Sequence, residues 1–135
     1  MTRGQRKHNP LNIRRARGTR WLGQEKTQRD REFVQFTCDL MGYRAALRIL
    51  RTYIKLYNLT SLRAIIYRWA PPEDGNHTTQ YINMVSDTSG IEKADVLDFD
   101  DEDQMVKLVA GMARVESGIK SPDMHILHEA YRLAK

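Results

Sequence analysis

Apolar residues along this chain recur mostly at helical spacing. The clearest run is Asp98 to Gly118. There Met105, Leu108, Val109, Met112 and Val115 stand at i, i+3, i+4, i+7 and i+10, one face of a helix. Asp98 or Asp100 can cap its start, the acids that follow suit the positive end of the helix dipole, and Gly118 can take the left-handed closing position. A second broad stripe covers Gly42 to Asn58, through Ala45, Leu47, Ile49, Leu50, Tyr53, Ile54 and Tyr57. Thr60 or Ser61 can cap a shorter helix with Leu62, Ile65, Ile66 and Trp69 inward, stopped by Pro71-Pro72. Asn76 or Thr78 can cap the next, through about Ser86, with Tyr81, Ile82 and Val85 inside and Gly90 as the breaker. Ser121 is a ready cap before Pro122 for a last helix to Ala134 that buries Ile126, Leu127, Ala130 and Tyr131.

The amino-terminal third reads differently. Residues 1–8 are expected to be a flexible basic start. Asn9 to Arg14 predicts a turn entering a short strand, and Phe33 to Phe36 fits a second short strand. The fold class expected is mainly α, with a small β-hairpin near the amino terminus and residues 9–135 forming a single domain. No apolar run is long enough to span a membrane.

Charge alters this picture in one respect. The net charge of +5 is unevenly spread: residues 1–31 carry ten Lys/Arg against two acids, and residues 92–103 carry seven acids against one Lys. The basic segment can be a polyanion-binding surface, a solvated arm, or a partner for the chain's own acidic segment. The lone Cys38 excludes an internal disulfide and is expected to be a small buried residue.

Little in the sequence points to cofactor chemistry. No glycine-rich phosphate loop is present, and His8, His77, His125 and His128 make no convincing metal set, so no cofactor or metal is called for. The remaining chemical candidate is Glu116. It borders the buried stripe four residues after Met112, at the helix end where a negative charge is unfavourable. Beside apolar packing its pKa would rise, which suits a general acid. The alternative is a half-exposed surface glutamate.

Glu116-Ser117-Gly118 at the end of an amphipathic helix resembles the catalytic-helix ending of lysozyme-like peptidoglycan enzymes. Asn9-Pro10-Leu11-Asn12-Ile13-Arg14 followed by Trp21-Leu22-Gly23 is similar to the segment just after the catalytic Glu in flagellar-type glucosaminidases. Thr78 to Val85, with Tyr81, resembles a late segment of lytic transglycosylases. In those families the Glu comes first; here it comes last, as a circular permutation would give. The whole chain also resembles small phage virion proteins similar to the lysin of the enveloped double-stranded RNA phages. That pattern runs through Asn9-Pro10, Trp21, Gly42, Arg44-Ala45, Tyr53, Trp69-Ala70-Pro71-Pro72, Asn76, Thr78, Tyr81 and Glu116, with Leu11 standing where Gly is usual and Tyr57-Asn58-Leu59-Thr60 where a Gly-containing turn is common.

The resemblance implies a permuted lysozyme-like domain that cleaves the β-1,4 glycan strand of peptidoglycan, with Glu116 as general acid. It implies action from the virion on the host cell wall, with peptidoglycan and other virion proteins as partners. Arg14, Trp21, Arg44, Trp69, Thr78 and Tyr81 are the candidate groove residues; Phe33, Phe36 and Tyr53 are assigned to the core. No second carboxylate is evident, which favours the transglycosylase route, with Asp30, Glu32 and Glu73 as the remaining acids for a hydrolytic one. Two other readings stay open. One is a peptidase for the peptide cross-links. The other is a non-enzymatic virion component whose basic amino-terminal segment contacts nucleic acid or coat protein.

Overall fold

A computed structural model describes residues 1–135. Six α-helices come in order: α1 Arg3–Arg6, α2 Asp39–Arg51, α3 Leu62–Trp69, α4 Thr78–Ser89, α5 Glu102–Ser117 and α6 Met124–Ala134. The chain is mainly helical. α2 lies along α6, α4 along α5, and α3 against α4, while α1 touches α5 from outside the bundle. One connected core of 30 buried residues joins these helices to Leu11, Ile13, Val34 and Phe36, so the irregular first third shares the interior of the helical body.

The long helices form where the stripes predict them, but several ends differ. α5 is capped by Asp101, whose side chain accepts from the Gln104 amide. Asp98 instead accepts from the Asp100 amide in a local turn, which delays the helix. At α6, Asp123 accepts from the amides of His125 and Ile126, so Ser121 and Pro122 lie before the helix. Ser61 caps α3 as expected, accepting from the Ala64 amide. α4 has no side-chain cap and runs on to Ser89, where Gly90 closes it at φ 78°.

The stripe read as Gly42 to Asn58 starts at Asp39, three residues earlier, and changes character before its end. Residues Thr52–Leu56 form a π-helical turn, wider than an α-turn. Thr52 Oγ1 donates back to the Arg48 carbonyl, a local competitor for the helical ladder. Asn58 at φ 55° then stops the segment.

Two expectations for the first third are corrected. The start is held: Thr2 and Gln5 form a capping box around Arg3–Arg6, and Gly4 is buried. A four-residue helix has no periodicity to read, and the Thr-x-x-Gln spacing is its only sign. The β-hairpin reduces to two isolated antiparallel bridges, Arg14 with Phe33 and Gln24 with Phe36. Polar side chains take the place of a ladder. Buried Asn9 donates to the carbonyls of Ile13 and Val34 and accepts from the Ile13 amide. Gln28 accepts from the Gln35 amide and donates to the Gln35 carbonyl. Asp30 accepts from the amides of Glu32 and Phe33. Cys38 is exposed rather than buried, because it sits at the mouth of α2.

Candidate active site

The site is assembled around the carboxyl end of α5. The last carbonyls of a helix have no partner within it. Here the start of the chain supplies donors. Ser117 O accepts from Thr2 Oγ1 at 2.9 Å and from Gln5 Nε2 at 3.0 Å, and Ser117 Oγ donates to the Pro10 carbonyl at 2.8 Å. The approach requires glycine at position 4, where a Cβ would stand 2.0 Å from Ser117 Oγ. Gly118, at φ 68°, turns the chain away.

Glu116 is half-buried at this end. Asn12 Nδ2 donates both to the Glu116 carbonyl, at 2.9 Å, and to its Oε1, at 3.0 Å. Asn12 holds this pose at φ 52°, a left-handed conformation that asparagine tolerates. The Tyr81 hydroxyl donates to Oε2 at 3.0 Å. Burial raises the Glu116 pKa above the usual carboxylate value, and the donors Asn12, Tyr81 and Trp69, with the Arg14 charge, pull it only part of the way back. Burial, and then the Glu116 charge, push the Tyr81 phenol well up, so it stays a donor at neutral pH.

Two hollows meet at this carboxyl. The larger, about 470 Å³, has Arg14, Trp21, Tyr53, Trp69 and Asp74 among its walls. The smaller, about 310 Å³, includes His77, Gln80, Tyr81 and Met84. Glu116 and Asn76 belong to both.

Of the candidate groove residues, Arg14, Trp21 and Trp69 therefore come together in the larger hollow, and Tyr81 reaches Glu116 from the smaller. Thr78 does not line either: it is buried and donates to the Ala70 carbonyl, tying the α4 start to the α3 end. Arg44 also lies outside both, half-buried on α2 with its Nε unpaired. Phe33 and Tyr53, assigned to the core, both line the larger hollow, and Tyr53 also packs against the core.

The remaining acids are placed unevenly. Asp30 is occupied by Arg3, at 2.5 and 2.6 Å, and the Arg3 guanidinium holds its carboxyl well below the usual range. Glu32 pairs with Arg3 and Arg14. Neither is a cavity wall, and neither is Glu73; its neighbour Asp74 is. Asn12, Asn76 and Asp74 are the residues that spacing alone misses, since they sit on turns without a repeat. The acidic segment is met by Lys55 at Asp100 and by His128 and Arg132 at Glu102, not by the basic first third. Arg17, Arg20, Lys26, Arg29 and Arg31 stay exposed and without ion pairs.

No protein-family model matches the chain. Among curated proteins, it is 38% identical over 118 residues to Protein P5 of Pseudoalteromonas phage PM2, covering 86% of this chain and 71% of that protein. At that identity and coverage, the chain belongs to the family of phage proteins that includes Protein P5 of phage PM2.

Proposed function

We propose that this protein is a phage enzyme that cleaves the β-1,4 glycan strand of peptidoglycan, with Glu116 as general acid. One observation carries the reading. A carboxyl of raised pKa lies where two hollows meet, with aromatic walls on one side. A polymer cut in its interior needs room on both sides of the scissile bond. Aromatic faces suit the apolar faces of sugar rings.

In this mechanism the protonated Glu116 gives its proton to the glycosidic oxygen as the bond from that oxygen to C1 breaks. The resulting carboxylate then takes the proton from the same sugar's 6-hydroxyl, whose oxygen closes onto C1 and leaves an anhydro-sugar end. Asp30 and Glu32 are engaged by Arg3 and lie off the cavity wall, so Asp74 is the carboxylate left there for a hydrolytic route with a second acid. Tyr81 and Asn12 keep the carboxyl aimed by gripping one oxygen each.

The same proposal includes a permuted lysozyme-like fold and a place in the virion, from which the enzyme reaches the host wall. Its support is spatial. Asn12 lies in the stretch similar to the glucosaminidase segment just after the catalytic Glu, and it touches Glu116 although it stands 104 positions earlier. The test is clearing of purified peptidoglycan, with mass spectrometry of the products. New anhydro-sugar or reducing ends support glycan cleavage, whereas free amino groups without them point to a peptidase. Clearing by Glu116→Gln at the unmodified rate removes Glu116 from the mechanism.

A second reading is favoured by a separate observation. A polar hollow of about 560 Å³ opens among Arg20, Lys26 and Arg29, on the exposed basic loop. A non-enzymatic virion protein that binds nucleic acid there would show affinity falling steeply with salt and no lytic activity.

A further inference from the structure

A row of aromatic side chains leads away from Glu116 at the cavity mouth, and its outer members have no part in acid catalysis. Trp69 and Tyr53 line the larger hollow, and their rings meet edge to face at 6.2 Å between centroids. Tyr57 continues the row outward, stacked on Tyr53 at 6.2 Å, and is 49% exposed. The three rings thus form a ramp from the catalytic hollow to the surface. Tyr53 lies within the π-helical turn Thr52–Leu56 and Tyr57 caps its end, and such turns concentrate at functional sites. An exposed aromatic at this point adds nothing to the core.

Arg68 completes the group. Its guanidinium lies over Tyr57 at 4.6 Å and over Tyr53 at 5.4 Å. It is exposed, and no carboxylate of the chain pairs with it. An arginine held on aromatic faces is pre-organised and keeps donors for a planar anion.

We propose that Tyr57, Tyr53 and Arg68 form an outer subsite for an acid-bearing sugar, with its ring against the tyrosines and its carboxylate on Arg68. This rests on the glycan-cleaving reading and deepens it, since it states which kind of sugar stands at this end of the cleft. Two properties argue for this occupant. The ramp is continuous with the wall of the catalytic hollow, so a chain bound there runs onto it. The unpaired cation on a sugar-sized apolar face complements a carboxylated sugar better than a neutral one.

The experiment measures binding to the full chain carrying Glu116→Gln, so that nothing is cut, using the indole fluorescence of Trp69 and Trp21. Two probes are compared: N-acetylglucosamine hexamer, which is neutral, and soluble peptidoglycan glycan oligomers freed of their stem peptides, whose muramyl carboxylates are thereby exposed. Arg68→Gln is expected to weaken the carboxylated probe about tenfold and leave the neutral one unchanged, the scale of one charge-assisted hydrogen bond. Tyr57→Ala is expected to weaken both, and Tyr57→Phe neither. Equal affinities in Arg68→Gln and Tyr57→Ala, with both probes still bound, overturn the subsite and leave the catalytic reading standing. Failure of the Glu116→Gln chain to bind either probe overturns the two together.

Discussion

The helical body and the first third of the chain are held by different forces. The helices bury continuous apolar faces: Leu47, Leu50, Leu62, Met105, Leu108 and Leu127 are fully inside. The segment before Asp39 contributes Leu11, Ile13, Val34 and Phe36 to the same core, but its path is fixed by polar pins. Asn9, Gln28 and Asp30 each bond to backbone groups that strands would otherwise pair. The contrast extends to the carboxylates. Asp30, gripped by Arg3, is held low, whereas Glu116, at the end of a packed helix, is pushed up. A loop pinned by charge needs an ionised acid; a cleft dried by packing favours a neutral one. The candidate site lies on the seam and needs both.

The largest effect expected is on activity. Glu116→Gln should keep the fold and reduce glycan cleavage about 100- to 10,000-fold, the range for a lost general acid. Next come the two kinds of support. Leu50→Ala should cost about 2–5 kcal/mol of stability, through a cavity in the helical body. Asn9→Ala should cost about 1–3 kcal/mol, through unsatisfied buried backbone groups in the first third. Urea denaturation measures both. If Asn9→Ala proves neutral, the polar pins do not hold that region and the contrast fails.

The pH dependence of the two acids should have opposite signs. Asp30 has a lowered folded pKa, so its contribution is present above its ordinary value of 3.8 and is lost as pH falls toward the folded value. The gap in urea midpoint between the unmodified chain and Arg3→Ala should therefore narrow in acid. Glu116 has a raised folded pKa, so stability declines as pH rises through that value, and Glu116→Gln should flatten this slope. Cleavage should fall on the same alkaline limb, because the acid form is lost. Tyr81→Phe removes a donor to the ionised form, so the limb should move to higher pH. The smallest effect belongs to the exposed surface pair Lys55–Asp100, where Lys55→Ala should change stability by about 0.2–1 kcal/mol.

These same forces decide how much the sequence reveals. The cores of α2 to α6 follow from apolar spacing, and Glu116 stands out because its position breaks the local charge preference. The helix starts are less legible. Asp98, Asp100 and Asp101 are chemically alike, and only the bond from the Gln104 amide selects Asp101. The first third has no repeat, since Asn9 and Asp30 act through hydrogen bonds at isolated positions, several of them to partners distant in sequence. In the site, Trp21 and Trp69 are legible as aromatics of two possible uses, and geometry puts both on the cavity wall. Thr78 reads as a groove residue because a hydroxyl near Tyr81 can serve either purpose; its bond to the Ala70 carbonyl makes it a brace. Tyr53 has two uses as well, packed against the core on one side and lining the hollow on the other.

The clasp between Thr2 and Ser117 joins positions 115 residues apart. A nascent chain still on the ribosome has no residue 117 for Thr2 to meet until every element from α2 to α5 has been made. Until then the early helices can begin to pack while Glu116 is missing or unseated, so a partly made copy has its scaffold without the assembled candidate site.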